Sequence, residues 1–334
     1  MNSENHHIMS NTVKNRVIGV DIRMDHTTIA VVDQRGNILA TDSFMTIDYQ
    51  DVNNFMTVLS ERIVTIAENN GGFENIRSVG ISAPSSNYLS GCIENAANMP
   101  WKGVIPLAAM LRDRIGLAVA LGNDAHITAL GEHVYGAAHG MQNFVIVSFG
   151  HGGLGSCIYS NGLPYLGTSG SAGEMGHTCV ESGGRQCGCG RQGCLEAYVT
   201  DRGIVQTAKE MMAASAQPSM MRSLETLTSV AIAQCCEQGD ELALEVFRKT
   251  GDYLGLGLAN VASVLDPEAI ILADLPDEVF KCLIEPTRAA FDKYVFRNIK
   301  DKVRLVVAGL NNNERDVLGA AALAWTVQEY SLFK

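Results

Sequence analysis

The chain has 334 residues, 46% of them hydrophobic and 18% charged, and carries a formal net charge of −11 at neutral pH. That length and apolar content allow a substantial core and exceed the usual size of one domain, so two domains are expected. The acidic balance argues against a broad nucleic-acid or anionic-membrane surface, because phosphates attract patches of Lys and Arg, and a small molecule is the expected partner.

No apolar run approaches the roughly 20 residues needed to span a bilayer, and the polar start from Met1 to Asn15 lacks the apolar stretch of a signal peptide. A cytoplasmic location is therefore expected. The nine cysteines are an odd number, which fits a reducing compartment better than a disulfide framework. Cys92, Cys157, Cys179, Cys235, Cys236 and Cys282 lie in apolar or helical contexts and read as small buried hydrophobes.

In chain order, residues 1–16 read as a disordered tail. Val17 to Asp21, Thr28 to Asp33 and Ile38 to Ala40 follow as strands of a meander, with a turn at Gln34-Arg35-Gly36-Asn37. From Val52 to Ala67 the apolar residues recur at helical spacing, and Ile76 to Ile81 reads as a buried strand. Leu117 to Leu121 is a predicted strand running into Asn123-Asp124, with a helix from Ala125 to about Val134. Phe144 to Ser148 and Leu154 to Tyr159 repeat the strand, glycine turn, strand layout of the start, which suggests a duplicated α/β domain. Helical patterns then dominate from Gly203 to Val264, broken near Gln217-Pro218. Strands return at Ala269 to Leu272 and Val303 to Val307 before a final Ala-rich helix over about Val317 to Glu329. Alternating strands and helices imply an α/β fold with covered sheets, in which ligands collect beyond the carboxyl ends of strands, here in an inter-domain cleft.

The segment Cys187-Gly188-Cys189-Gly190-Arg191-Gln192-Gly193-Cys194 holds three thiols and three glycines, and His177 lies ten residues before the first thiol. Thiolates and an imidazole suit tetrahedral zinc, and the glycines let the backbone curl enough for the side chains to converge. Four protein ligands make a closed site, and a closed site is structural, since catalytic zinc keeps a position for water.

Gly173-Glu174-Met175-Gly176-His177 followed by Cys-x-Cys-Gly-x-x-Gly-Cys-x-Glu resembles the signature of the ROK family of sugar kinases and sugar-responsive repressors. Leu121-Gly122-Asn123-Asp124-Ala125, Ser148-Phe149-Gly150-His151-Gly152, Asp266 to Leu272 and Leu318 to Ala322 are similar to further family segments. The resemblance implies a two-domain actin-like, ribonuclease H-like α/β fold: a smaller domain from 17–122 joined by the C-terminal helix at about 317–334, and a larger one from 123–316 with the zinc loop. It implies that Asp124 is the base taking a proton from a sugar hydroxyl. It also places Asn123, Glu174, His177 and Glu196 around a hexose or N-acetylhexosamine, with His177 also on zinc. It puts Asp21, Gly150 and Gly152 beside Mg-ATP, and implies a homo-oligomer. On its residues alone, Asp124 reads first as a cap of the helix that follows it. Ser82-Ala83-Pro84 and Asn98-Met99-Pro100-Trp101 resemble another sugar-side loop, although Trp101 reads equally as core. A family repressor would need a helix-turn-helix module before the first strand, and too few residues precede Val17 for one.

The nucleotide half departs from the family pattern. Asp21-Ile22-Arg23-Met24-Asp25-His26 stands where Asp-x-Gly-Gly-Thr is expected, replacing two glycines that let backbone approach phosphates. Asp25 adds a carboxylate, and two like charges about 4 Å apart repel by roughly 4 kcal/mol at an effective dielectric of about 20. Arg23 is expected to pair either with a phosphate or with Asp25, plugging the site in the second case. Gly150-His151-Gly152 replaces Gly-Thr-Gly, and Ala273-Asp274-Leu275-Pro276 replaces a Gly-Gly turn on the adenosine side. The residues therefore leave two functions open: a sugar kinase with an unusual nucleotide loop, or a catalytically weak or inactive sugar sensor.

Overall fold

The computed structural model describes residues 14–96, 99–150, 153–311 and 314–327. Its elements, numbered in chain order, are β1 (Arg16–Ile22), β2 (His26–Asp33), β3 (Ile38–Met45), α1 (Val52–Asn69), β4 (Ile76–Ser82), β5 (Ser86–Asn87), β6 (Cys92–Glu94), β7 (Val104–Ile105), α2 (Leu107–Ile115), β8 (Ala118–Gly122) and α3 (Asp124–Tyr135). There follow β9 (Phe144–Ser148), β10 (Gly155–Ser160), β11 (Leu163–Pro164), α4 (Glu196–Val199), α5 (Asp201–Ala214), α6 (Ser229–Glu237), α7 (Glu241–Leu265), β12 (Ala269–Ala273), α8 (Asp277–Tyr294), β13 (Arg304–Val307) and α9 (Arg315–Thr326).

The chain forms two compact units. One reaches Gly131 and takes in α9; the other begins at Glu132 and ends before α9. The expected break at residue 122 thus moves into α3. The reason is local: the first half of α3 packs on α9, with Gly131 facing the backbone of Gly319.

In the first unit the sheet order is β3-β2-β1-β4-β8. β1 to β3 form an antiparallel meander, and β1, β4 and β8 are parallel. β1 and β4 are buried almost throughout because both their faces are covered, whereas β3 at the edge largely alternates half-buried and exposed residues. The core gathers Ile18, Val20, Phe55, Leu59, Ile63 and Ile81. α9 packs directly on the strands: a Cβ on Gly19 of β1 would lie 2.2 Å from the Val317 carbonyl, so this approach requires glycine.

The second unit repeats the plan in the order β11-β10-β9-β12-β13, again an antiparallel meander with two further parallel strands. This duplication is the one legible in the paired strand-turn-strand segments. Its core joins Phe247, Leu254 and Leu258 of α7 to Ile270 and Leu272 of β12 and Phe291 of α8. Glu132, fully buried, accepts hydrogen bonds from the backbone N–H groups of Ala137, Gly309 and Leu310 at 2.7, 2.8 and 3.0 Å, tying the end of α3 to the segment after β13. No helix of the described residues is long and apolar enough to cross a membrane.

Asp240 caps α7 and pins the preceding loop. It is 7% exposed and accepts from the backbone N–H of Leu242, Ala243 and Met220 at 3.0, 2.9 and 2.5 Å and from the Ser219 hydroxyl at 3.1 Å. Burial works to raise its pKa, but the donors, led by the Ala243 N–H, hold it below the usual value. A depressed folded pKa contributes stability that is present above the unfolded value near about 3.9 and lost as pH falls through the folded one. Asp240→Asn is expected to cost about 1–3 kcal/mol in urea denaturation at pH 7. As pH falls below about 4 the gap from wild type should close, because protonation removes the same charge from the wild-type protein.

Candidate metal centre and ligand site

His177, Cys187, Cys189 and Cys194 converge in the second unit, each offering one donor atom, with all four atoms within 4.8 Å of one another. His177 Nδ1 lies 3.6 Å from Cys187 Sγ, and the sulfurs of Cys189 and Cys194 are 3.6 Å apart. Tetrahedral bonds of about 2.3 Å to zinc separate two sulfurs by about 3.8 Å, so the donor set and its spacing fit that ion. The exposed Cys189 thiol is lowered to about 6, chiefly by the backbone N–H of Arg191, while burial raises the Cys187 thiol to about 12. A bound metal overrides both by taking thiolates.

The loop is shaped by backbone freedom and by two arginines. Gly193 has φ +79°, and a Cβ there would lie 1.9 Å from the Glu181 carbonyl, so only glycine fits. Arg185 donates to the carbonyls of Ala197 and Gly203 at 3.1 and 3.0 Å, to Thr207 at 2.9 Å and to Glu210 at 2.6 Å, and lies 4.7 Å over the Tyr198 ring. Arg191 donates to the His177 carbonyl. Neither arginine was signalled by the sequence, since their partners lie 12 to 25 positions away and form no local motif.

The acids expected around a sugar bracket this centre. Glu174 Oε2 is 4.0 Å from His177 Nε2, the ring nitrogen opposite the one facing the thiols. Glu196 Oε1 lies 3.7 Å from Cys187 Sγ, and its Oε2 accepts the Leu154 N–H at 3.1 Å. Glu196 also lines a cavity of about 380 Å³ with Arg185, Cys187, Thr200, Arg202 and Gln206. Cys179 departs from expectation: it is exposed rather than buried, because it sits on the rim of this loop, bridged through its backbone to Cys194. Cys157, Cys235 and Cys236 are buried, and Cys92 and Cys282 half-buried.

In the first unit three parallel strands end at one level, with Asp21, Ser82 and Gly122 paired in register. Asn123 and Asp124 follow β8 at the start of α3. Their side chains accept the Ala125 N–H at 3.1 and 2.8 Å; Asn123 thereby caps α3, and Asp124 stands at its first position. Trp101 is core: it is 5% exposed, donates to the Tyr49 carbonyl at 3.0 Å, and its ring centre is 4.5 Å from that of Phe55. Asn98 lies outside the described residues.

The turn after β1 differs from both expectations for Arg23. Its Nε donates to Asp21 at 2.7 Å and its terminal nitrogen to Asp316 of α9 at 2.5 Å, and Asp316 also meets the Thr128 hydroxyl at 3.4 Å. Asp21 and Asp316 are 4% and 6% exposed. Burial works to lower the Arg23 pKa, but the charges of Asp21 and Asp316 raise it overall. Asp25 pairs instead with His26 at 3.0 Å, and its side chain is 62% exposed, so solvent screens it from anything near Asp21. Asp316 was missed because nothing in its local sequence connects it to Asp21, 295 positions earlier by number (316 minus 21).

Gly150 follows β9, while His151 and Gly152 lie outside the described residues. Facing Gly150 is Asp274, which has φ +63° and accepts the Ser148 hydroxyl at 2.6 Å. A Cβ built on Gly150 would be 3.4 Å from Asp274 Cβ. A carboxylate therefore stands beside the glycine that the resemblance assigned to phosphate.

The glucokinase of Streptomyces coelicolor is 30% identical over 316 residues, covering 92% of this chain and 96% of that one. The N-acetylglucosamine repressor of Escherichia coli O157:H7 is 30% identical over 217 residues, 65% of this chain and 52% of the repressor. Among solved structures, a ROK family glucokinase from Streptomyces griseus in complex with glucose and AMPPNP matches with a TM-score of 0.72 at 28% identity, covering 93% of this chain and all of that one. Residues 17–327 match the ROK family model, and the chain, a two-domain α/β protein of the actin-like sugar-kinase fold, belongs to the ROK family.

Proposed function

We propose that this protein is a sugar kinase that moves the terminal phosphoryl group of Mg-ATP to a hydroxyl of a hexose or N-acetylhexosamine. The observation that carries this reading is the placement of Glu174 beside His177 and of Glu196 beside Cys187 in the His177, Cys187, Cys189, Cys194 cluster. Carboxylates held by a metal-pinned loop suit a polyol, because a ligand lacking one hydroxyl leaves a buried polar group unpaired. Asn123, Asp124, Glu174, His177 and Glu196 would hold the sugar. The Asp124 carboxylate takes the hydroxyl proton, the sugar oxygen bonds to the terminal phosphorus, and ADP leaves. Such a base contributes roughly a hundred- to ten-thousand-fold. Zinc in the cluster would fix the loop and take no part in the chemistry. Magnesium would neutralise phosphate charge; Asp21 and Gly150 are the described residues assigned to that side, with Gly152.

Two observations favour a second reading, a slow or inactive sugar sensor. Asp21 is already ion-paired by Arg23, and Asp274 faces Gly150, so the nucleotide side carries its own occupants.

Purified protein should contain one zinc per chain by elemental analysis, and Cys187→Ser or Cys189→Ser should lose it. At a hundredfold excess over its dissociation constant a bound ion stabilises by about 2.7 kcal/mol. Chelation should therefore lower Tm by about 5–10 °C. For activity, ADP release with Mg-ATP should depend on glucose, mannose, allose, N-acetylglucosamine or N-acetylmannosamine and fall at least about a hundredfold in Asp124→Asn. Sugar-stabilised protein with no sugar-dependent ADP above that control selects the sensor.

A further inference from the structure

We propose that Cys179 is an oxidisable site beside the metal centre: a peroxide joins it to Cys194 in a disulfide, and that bond removes Cys194 from the four donors. The pairing rests on backbone geometry alone. Loss of a metal rests on the cluster holding zinc, and any effect on a sugar rests on the sugar-kinase reading.

Cys179 and Cys194 are partners in an antiparallel bridge. The hydrogen bonds flank the pair rather than join it: the Val180 N–H donates to the Gly193 carbonyl at 2.8 Å, and the Leu195 N–H donates to the Thr178 carbonyl at 3.0 Å. Residues opposed in such a non-hydrogen-bonded pair have Cα atoms about 4.5 Å apart and side chains on one face, within the span of about 4.4–6.8 Å that a disulfide bridges. A Cβ built on Gly193 would lie 3.2 Å from Cys179 Sγ, so this sulfur already rests against the residue next to Cys194. The two thiols differ in access. Cys179 is exposed and stands outside the four-donor group, whereas Cys194 is 1% exposed and belongs to it. Cys189, also exposed, is itself one of the four donors, so a bound ion occupies its sulfur. An oxidant therefore meets a free thiol first at Cys179, with Cys194 placed to resolve it.

The chemistry balances with hydrogen peroxide as the oxidant. The Cys179 sulfur takes one oxygen as the O–O bond breaks, giving a sulfenic acid and water. The Cys194 thiolate attacks that sulfur, the S–S bond forms, the S–O bond breaks and hydroxide leaves. The two sulfurs lose two electrons and the peroxide gains them, with no change in the charge of zinc. Three donors remain, and the closed site opens. Glu196 lies two positions after Cys194, so under the sugar-kinase reading the oxidised protein binds sugar more weakly.

Full-length protein freed of reductant and treated with a small excess of hydrogen peroxide tests this. Wild type should release its zinc to a chromophoric chelator, and peptide mass spectrometry after alkylation should find Cys179 joined to Cys194. Dithiothreitol with added zinc should reverse both. Cys179→Ser should keep its zinc and its sugar binding before oxidation, and should lose zinc to peroxide at least about tenfold more slowly, since the sulfur that forms the bond is gone. If Cys179→Ser does not fold, Cys179→Ala should show the same protection. A folded Cys179 variant that loses zinc at the wild-type rate overturns the proposal, as does a bond from Cys189 to Cys194 in its place. Protein that carries no zinc yet joins Cys179 to Cys194 leaves the pair standing and overturns the metal reading; zinc-loaded protein in which that bond never forms does the reverse. Oxidised, zinc-free protein with undiminished sugar binding leaves the oxidation site standing and overturns the tie between loop and sugar.

Discussion

The stretch from His177 to Cys194 carries little apolar surface, so burial alone does little to fix its conformation, and a metal held by its four donors is the cross-link proposed for it. Four donor atoms within 4.8 Å provide the place for one, and Arg185 and Gly193 bring the backbone into range from either side. Everything proposed for the ligand follows from that convergence. Glu174 lies beside His177, and Glu196 lies beside Cys187. An organised loop thus presents two carboxylates whose spacing the chain alone, with so many glycines, would leave undetermined.

The two units use one plan for different ends. In each, an antiparallel meander is extended by parallel strands whose carboxyl ends lie level, so residues at those ends are brought together without special contacts. In the first unit that row is Asp21, Ser82 and the Gly122-Asn123-Asp124 step. In the second it includes Ser148 and Asp274, joined by a 2.6 Å hydrogen bond. The close seat of α9 on Gly19 brings Asp316 to Asp21, and the packing of a helix on a strand thereby becomes an electrostatic feature.

Much of this was legible in the residues. Strand runs such as Phe144 to Ser148 were recovered without shift, because a short apolar run bounded by turn residues has few other uses. The convergence of His177, Cys187, Cys189 and Cys194 was legible because they are close in sequence and the three thiols are glycine-flanked. Pairings between distant segments were not. Arg23 was expected to meet a phosphate or Asp25, yet it meets Asp21 and Asp316, since the register that aligns them depends on α9 and not on the turn itself. Trp101 illustrates the same limit: only the packing on Phe55 decides between core and ligand contact.

The most direct test of the account is calorimetric glucose or N-acetylglucosamine binding to metal-stripped protein and to the same sample after zinc is restored. If the cluster holds Glu174 and Glu196 for a polyol, stripping should weaken binding at least tenfold, a loss of about 1.4 kcal/mol or more, and zinc should recover it. Equal affinity in both states, with the stripped protein still folded, would contradict the account.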